Sequence, residues 1–304
     1  MKNDFLKFLK TSLVFVLGFL LVDALIGWIG DTLVENVPET GTRISQQYAA
    51  NKKVQADVII LGSSRANHHY NAPMMRDMLS LSVYNTGIDG CGLHYNSCVL
   101  NNVIKRKVPK LVIFELEPTL LSGRWKERLK NDLGIYYYKD SYIHQTLNEI
   151  EDITFPVKIR VNTYRYNNIF ISLFNTFLIN KKSRPLGYAP LESNQKKFEL
   201  TYAKAEPIQI DSMVYQRLMD MIAWSKKYHF ALIVVESPKL VISNTNAELK
   251  QICENNNILY LDNTNVDYFM QHPYLFNDPT HLNKQGADVY TKYFINQIKF
   301  HIDI

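Results

Sequence analysis

Two short clusters carry the residue types of nucleophilic chemistry. Gly62-Ser63-Ser64-Arg65 sets two hydroxyls and several backbone N–H groups directly after the apolar run at residues 58–61, VIIL. Asp278-Pro279-Thr280-His281 sets a carboxylate three residues before an imidazole, with a proline stiffening the turn. A carboxylate so placed can bond Nδ1, fix the ring tautomer and leave Nε2 to take a proton from a hydroxyl. A serine nucleophile needs such a base beside it, and the oxyanion it creates needs fixed donors. Each cluster also has a plain reading. The first is a strand-to-helix turn with a Ser N-cap, and the second is a cap before a helix.

Their positions in the chain sharpen the chemical reading. Residues 58–61 read as a buried strand. A helix follows over 73–79, with Met74, Met75, Met78 and Leu79 on an apolar face, then a short strand over 82–85 and a glycine-rich turn, Thr86 to Gly92. The spacing of Cys98, Val99, Val103 and Ile104 predicts a helix over 93–106, and LVIFEL at 111–116 is another buried strand. The rhythm is lost between 119 and 210. It resumes with a helix from Ser212, a strand at 231–235, a helix at 246–256, a strand at 258–261 and a last amphipathic helix over 284–300. Alternating strands and helices imply a three-layer α/β/α fold around a mainly parallel, flavodoxin-like sheet. The serines then follow the first strand and the Asp-x-x-His precedes the last helix, both where open α/β sheets bind ligands.

The amino terminus adds a second theme. TSLVFVLGFLLVDALIGWIG, residues 11–30, is about 20 residues, enough to cross a hydrocarbon core as a helix. Lys2, Lys7 and Lys10 precede it and Asp31, Glu35 and Glu39 follow, a bias that leaves the amino terminus in the cytoplasm and the rest outside. Asp23 is costly inside such a span. A cleaved signal peptide ending near Val22-Asp23-Ala24 is the rival, but the apolar run continues past it to Ile29. The expected layout is a tip and anchor over 1–30, a polar stalk over 31–53 broken by Pro38 and Gly41, and an α/β domain over 54–304. Residues 119–210 form an insertion in that domain, expected to cap the site. Its tyrosines, among them Tyr136, Tyr137, Tyr138, Tyr142, Tyr164 and Tyr166, suit sugar rings or serve packing.

Composition removes other classes. An apolar fraction of 46% argues against disorder, and a net charge of +5 without a basic stripe gives nucleic-acid binding no support. Cys91, Cys98 and Cys253 have no metal-ligand spacing, so no metal or organic cofactor is indicated, and only a single Cys91–Cys98 bridge stays open.

Taken as a set, these pieces resemble the SGNH (GDSL-like) hydrolase family. Its first block, Gly-Asp-Ser, stands here as Gly62-Ser63-Ser64. Its Asn-x-Gly-like turn is similar to Asn85-Thr86-Gly87-Ile88-Asp89-Gly90, and its Asp-x-x-His is Asp278 to His281. The resemblance covers residues 57–117 and 231–300. It implies Ser64 as nucleophile, His281 as base and Asp278 as orienter, with Ser64 and Gly90 N–H groups forming the oxyanion hole. The register favours Ser64 over Ser63. His68 and His69, without an evident acidic partner, read as surface or cap-facing. The family's third-block Asn is missing, because the third strand ends Phe114-Glu115-Leu116-Glu117-Pro118. Asn96 is then the candidate third oxyanion donor. Arg65 and Glu117 are candidate substrate contacts, Glu117 either holding a cationic substrate group or pairing with a nearby Lys or Arg.

The function so implied is serine-mediated ester cleavage or acyl transfer outside the cytoplasmic membrane. The expected substrate is an acylated cell-surface or exported polysaccharide or a small acyl ester, and a membrane-bound acyltransferase is a fitting partner. The other class that fits is a non-catalytic, membrane-tethered glycan-binding or assembly protein.

Overall fold

A computed structural model describes residues 2–178, 184–192, 198–202, 208–242 and 247–299. In chain order, α1 (Lys2–Glu35) leads to α2 (Arg43–Tyr48), β1 (Val58–Gly62), α3 (Ser64–His69), α4 (Ala72–Leu79), β2 (Val83–Asn85), α5 (Leu93–Arg106) and β3 (Leu111–Glu115). Five short helices follow: α6 (Leu129–Leu133), α7 (Ser141–Ile150), α8 (Phe155–Lys158), α9 (Asn162–Tyr166) and α10 (Phe170–Leu178). The remainder is β4 (Thr201–Tyr202), α11 (Ser212–Tyr228), β5 (Ala231–Glu236), β6 (Val241–Ile242), α12 (Ala247–Asn255), β7 (Leu259–Asp262), α13 (Asp267–Met270), β8 (Phe276–Asp278), β9 (His281–Leu282) and α14 (Lys284–Ile298). Residues 246 and 300, at the margins of two expected helices, lie outside the described residues.

The chain divides into two compact units, one of Met1–Pro38 with Lys130–Asn180, the other of Glu39–Leu129 with Lys181–Ile304. The second holds a five-stranded sheet in the order β2-β1-β3-β5-β7, all neighbours parallel. This is the doubly wound, flavodoxin-like order expected from the sequence. β1 and β3 are buried along their whole length, which is why they read as apolar runs, broken in β3 only by Glu115 at its end. Pleating sends Val58, Ile60, Leu111, Ile113, Ile233 and Val235 to one face, against Met75 of α4 and Tyr290, Phe294 and Ile298 of α14. The alternate residues face α5 and α11, which pack on β1, β5 and each other. Carboxyl ends of parallel strands thus open at one edge, with Ser63 after β1 and Leu116 after β3.

Three expectations change. The stalk is not a stalk. Residues 43–53 are helical, with Ile44, Ala49 and Ala50 buried, and Arg106 of α5 donates to the carbonyls of Ala50, Asn51 and Val54 at 2.6–3.0 Å. The insertion does not form one cap, because residues 130–180 fold with α1 as a unit of their own. Tyr136, Tyr137 and Tyr166 are buried within it. Tyr137 stacks on His144, and the Tyr166 hydroxyl donates to Asp31. The three cysteines are buried thiols outside any disulfide, which closes the question of a Cys91–Cys98 bridge.

Candidate active site

Ser64 is the first residue of α3, so its N–H belongs to the set that a helix leaves without an internal partner. The turn that delivers it depends on Gly62. That residue has φ 143°, and an added Cβ would lie 2.5 Å from the Glu115 carbonyl oxygen and 2.7 Å from the Ala66 Cβ. No side chain fits there. The Gly62 N–H is fixed by Asn96 Oδ1 at 2.9 Å.

The hydrogen-bonded line is short. Ser64 Oγ lies 2.7 Å from His281 Nε2, and His281 Nδ1 lies 2.8 Å from Asp278 Oδ2. Asp278 also accepts the N–H groups of Thr280 and His281 and the Thr280 hydroxyl. Burial pushes its carboxyl up, but the bonds from His281 and Thr280 outweigh that and hold it well below its ordinary value. Asp278 stays ionised, Nδ1 keeps the proton, and Nε2 presents its lone pair to the serine. Asp278 and His281 pair across the antiparallel β8–β9 hairpin. The Pro279 carbonyl at its tip accepts the Leu240 N–H at 2.7 Å, so the loop after β5 braces the turn.

Beneath this line runs a buried polar network. Leu282 N–H donates to His69 Nε2 at 3.0 Å, so His69 carries its proton on Nδ1 and donates it to Ser237 Oγ at 2.7 Å. Ser237 passes its own proton to Glu115 Oε1 at 3.0 Å. Glu115 also accepts from the Ser237 N–H and the Tyr70 hydroxyl and pairs with Arg65 Nε at 3.2 Å. Burial, with the fields of His281, Arg65 and His68, keeps the His69 imidazole pKa well below the usual histidine value, so the ring is neutral. The rings of His68 and His69 meet His281 edge-on, with centroids 5.8 and 6.1 Å away.

Several sequence expectations are corrected here. His68 and His69 are not at the surface. Both are buried, because α3 is pinned against β9, and His68 does have an acidic partner, Asp89, at 3.1 Å. Asn96, the candidate third oxyanion donor, is fully buried and is not among the residues that line the cleft beside Ser64: one Nδ2 hydrogen goes to the Gly92 carbonyl at 2.8 Å while its oxygen holds Gly62. Glu115, the last residue of β3, turns into the network. No one segment signals that network, since Tyr70, Glu115, Ser237 and Leu282 are far apart in the chain.

Gly90, at φ +65°, lies beside the serines, and its N–H donates to Ser63 Oγ at 3.1 Å. The Arg128 guanidinium packs over Gly90 and over the Trp125 ring. Ser64, Arg65, Glu117, Trp125, Lys239 and His281 help line a cleft of about 280 Å³. Burial raises the Glu117 carboxyl, but Arg65, a hydrogen bond from the Thr119 side chain, Lys239 and Arg124 together more than offset it and hold it below its ordinary value. Glu117 thus stands in the field of the protein's own cations, in the wall of the same cleft. Among the described residues no His/Cys/Asp/Glu group is arranged to hold a metal ion.

No family model and no curated protein matches the chain. Among solved structures it is similar to a protein of Bacteroides fragilis described as a "putative acylhydrolase", at 12% identity and a TM-score of 0.42, over 86% of this chain and 97% of that one. A likeness at that level carries no weight for activity, and the chemical reading stands on the geometry above.

Proposed function

We propose that the chain is a membrane-anchored, extracytoplasmic serine ester hydrolase or O-acyltransferase of the SGNH type, acting on O-acyl, acetyl-like esters of cell-surface or exported polysaccharide. The observation that carries this reading is the 2.7 Å contact between Ser64 Oγ and His281 Nε2, with Asp278 behind the ring. Ser64 attacks the ester carbonyl as its proton passes to Nε2. The tetrahedral oxyanion then faces the Ser64 N–H and the Ser63 hydroxyl, whose oxygen is held by Gly90. Collapse releases the alcohol with the proton from His281. Water or an acceptor hydroxyl, activated by the same imidazole, completes hydrolysis or transfer.

The polysaccharide assignment is supported by α1, which is long and apolar enough to cross a membrane, and by the lysines that precede its apolar run. A small soluble ester such as p-nitrophenyl acetate, offered to the full chain in detergent, tests the chemistry apart from the natural acceptor. Release of p-nitrophenol that disappears in Ser64→Ala supports the reading, and release unchanged in that variant overturns it.

A second reading, a membrane-tethered glycan-binding or assembly protein without catalysis, draws on one observation. The Gly90 N–H is already taken by Ser63 and Asn96 is fully buried, so fewer donors stand open to an oxyanion. Glycan binding unaffected by Ser64→Ala, with no ester turnover, would favour it.

A further inference from the structure

Large apolar side chains of α1 are exposed from Phe5 to Trp28, Leu25 at 49% and Trp28 at 68% included, while Asp23, near the end of that run, is buried. There the amino end of α9 docks. Asp23 accepts the backbone N–H of Asn162 and of Thr163, at 3.0 and 2.7 Å, and also the Asn162 amide and the Thr163 hydroxyl. Gly27 and Gly30 lie one and two turns on, against Asn162 and Tyr166, and a Cβ at either would collide with those side chains. The sequence therefore builds a seat for α9 on α1 at the end of the apolar run, and α10 follows within four residues and also packs on α1.

α10, FISLFNTFL, is apolar on both sides. Leu173 and Thr176 face inward and are buried, while Ile171 is 75% exposed, Phe174 50% and Leu178 67%. Those three recur at helical spacing and form a stripe. Ile153 and Val157 of the same unit are also exposed, at 95% and 66%. Scattered apolar residues on a surface need no explanation, but a stripe of Ile, Phe and Leu on one short helix marks a face that something covers. Its neighbour says what covers it. A groove of about 290 Å³, largely apolar, is lined by Ile26 of α1 together with Tyr166, Phe170 and Ile171, so the two helices share one surface. Ile26 lies two residues before Trp28, the last exposed large apolar residue of α1, about 3 Å along the axis.

We propose that α10 is a second membrane-inserted element, a short helix lying in the interfacial layer beside α1 with Ile171, Phe174 and Leu178 among the acyl chains. The proposal rests on α1 being a membrane span. The occupant of the stripe is lipid rather than a protein partner, because the stripe adjoins, through Ile26, the last turn of the exposed α1 apolar surface, where that surface nears the headgroups. Short amphipathic elements bind at that level by burying an apolar face under the headgroups. The arrangement also accounts for Asp23. Its carboxylate lies within the last two turns of the apolar run and has four donors.

The test uses the full chain in liposomes, with an environment-sensitive fluorophore on single cysteines introduced by Ile171→Cys, Phe174→Cys and Leu178→Cys. Leu17→Cys on α1 is the lipid control and Gln145→Cys on α7 the aqueous one. The native cysteines are buried and react only if the protein unfolds. The expected result is quenching of the three α10 labels by lipids brominated on the acyl chain, to at least half the extent seen at Leu17→Cys, with little quenching by iodide. Iodide quenching equal to that at Gln145→Cys, while Leu17→Cys stays lipid-quenched, overturns the α10 proposal alone. Resistance to both quenchers shows that protein covers the stripe, a second copy included, and also overturns it. A Leu17→Cys label that lipid does not quench overturns the membrane-span reading itself.

Discussion

The backbone N–H of Leu282 donates to Nε2 of His69 at 3.0 Å. This bond ties the residue after the candidate base to the helix that opens with the candidate nucleophile. It fixes the distance between Ser64 and His281 more directly than either side chain can, because it joins β9 to the end of α3 through groups with little freedom.

His69→Ala should therefore damage both stability and reactivity. It leaves the Leu282 N–H and the Ser237 hydroxyl without their buried partner and opens a cavity, mechanisms that together cost about 2–4 kcal/mol. Urea unfolding should show that loss. The rate of serine labelling should fall at least tenfold even at temperatures where the variant is folded. Unchanged labelling in a folded His69→Ala would show that the bond has no positioning role.

Asp278→Asn should leave the fold intact and lower ester turnover by about 10⁴, the cost seen when an orienting carboxylate is replaced and the imidazole adopts the wrong tautomer. Steady-state kinetics of the variant beside wild type measures this directly. A loss below tenfold would mean that Asp278 only caps the hairpin.

Arg65→Leu should be among the most destabilising single changes in the α/β unit. It strands Glu115 as an uncompensated buried charge, and breaking one side of such a pair costs about 3–5 kcal/mol. Arg65→Leu with Glu115→Leu should recover part of the loss. A double-mutant cycle in urea checks both statements.

Glu236 gives a pH dependence. Burial pushes its carboxyl up to about 7, against the pull of Arg65, Tyr260 and Lys239. The Lys239 ammonium, 3.8 Å away, is too distant to offset burial. Because the folded value lies above that of the unfolded chain, the stability tied to the neutral form is complete below the ordinary carboxylate range and is lost as pH rises through about 7. Unfolding free energy of Glu236→Gln should accordingly fall less than that of wild type between about pH 5 and 8. Equal slopes would remove Glu236 as the source.

The sheet was legible because its strands are buried on both faces and so appear as largely apolar runs at 58–61, 111–116 and 231–235. The Ser64 and Asp278–His281 positions were legible because local motifs specify them, a glycine-terminated strand and a proline-stiffened turn. What holds these motifs together was not. Glu115 looks like an obstacle to catalysis when read beside its neighbours in the strand. Only the folded chain places Tyr70, Arg65 and Ser237 around it. Residues 130–180 were misread for a related reason. Their short helices lack a long period, and their partner is α1, more than a hundred residues earlier.

The most direct test of the central claim is labelling of the full chain in detergent with a fluorophosphonate probe, comparing wild type with Ser64→Ala, Ser63→Ala and His281→Ala. Labelling present in wild type and Ser63→Ala but absent in Ser64→Ala and His281→Ala is the predicted result. Labelling that survives Ser64→Ala, or none at all in a folded wild type that also fails to turn over p-nitrophenyl acetate, would contradict it.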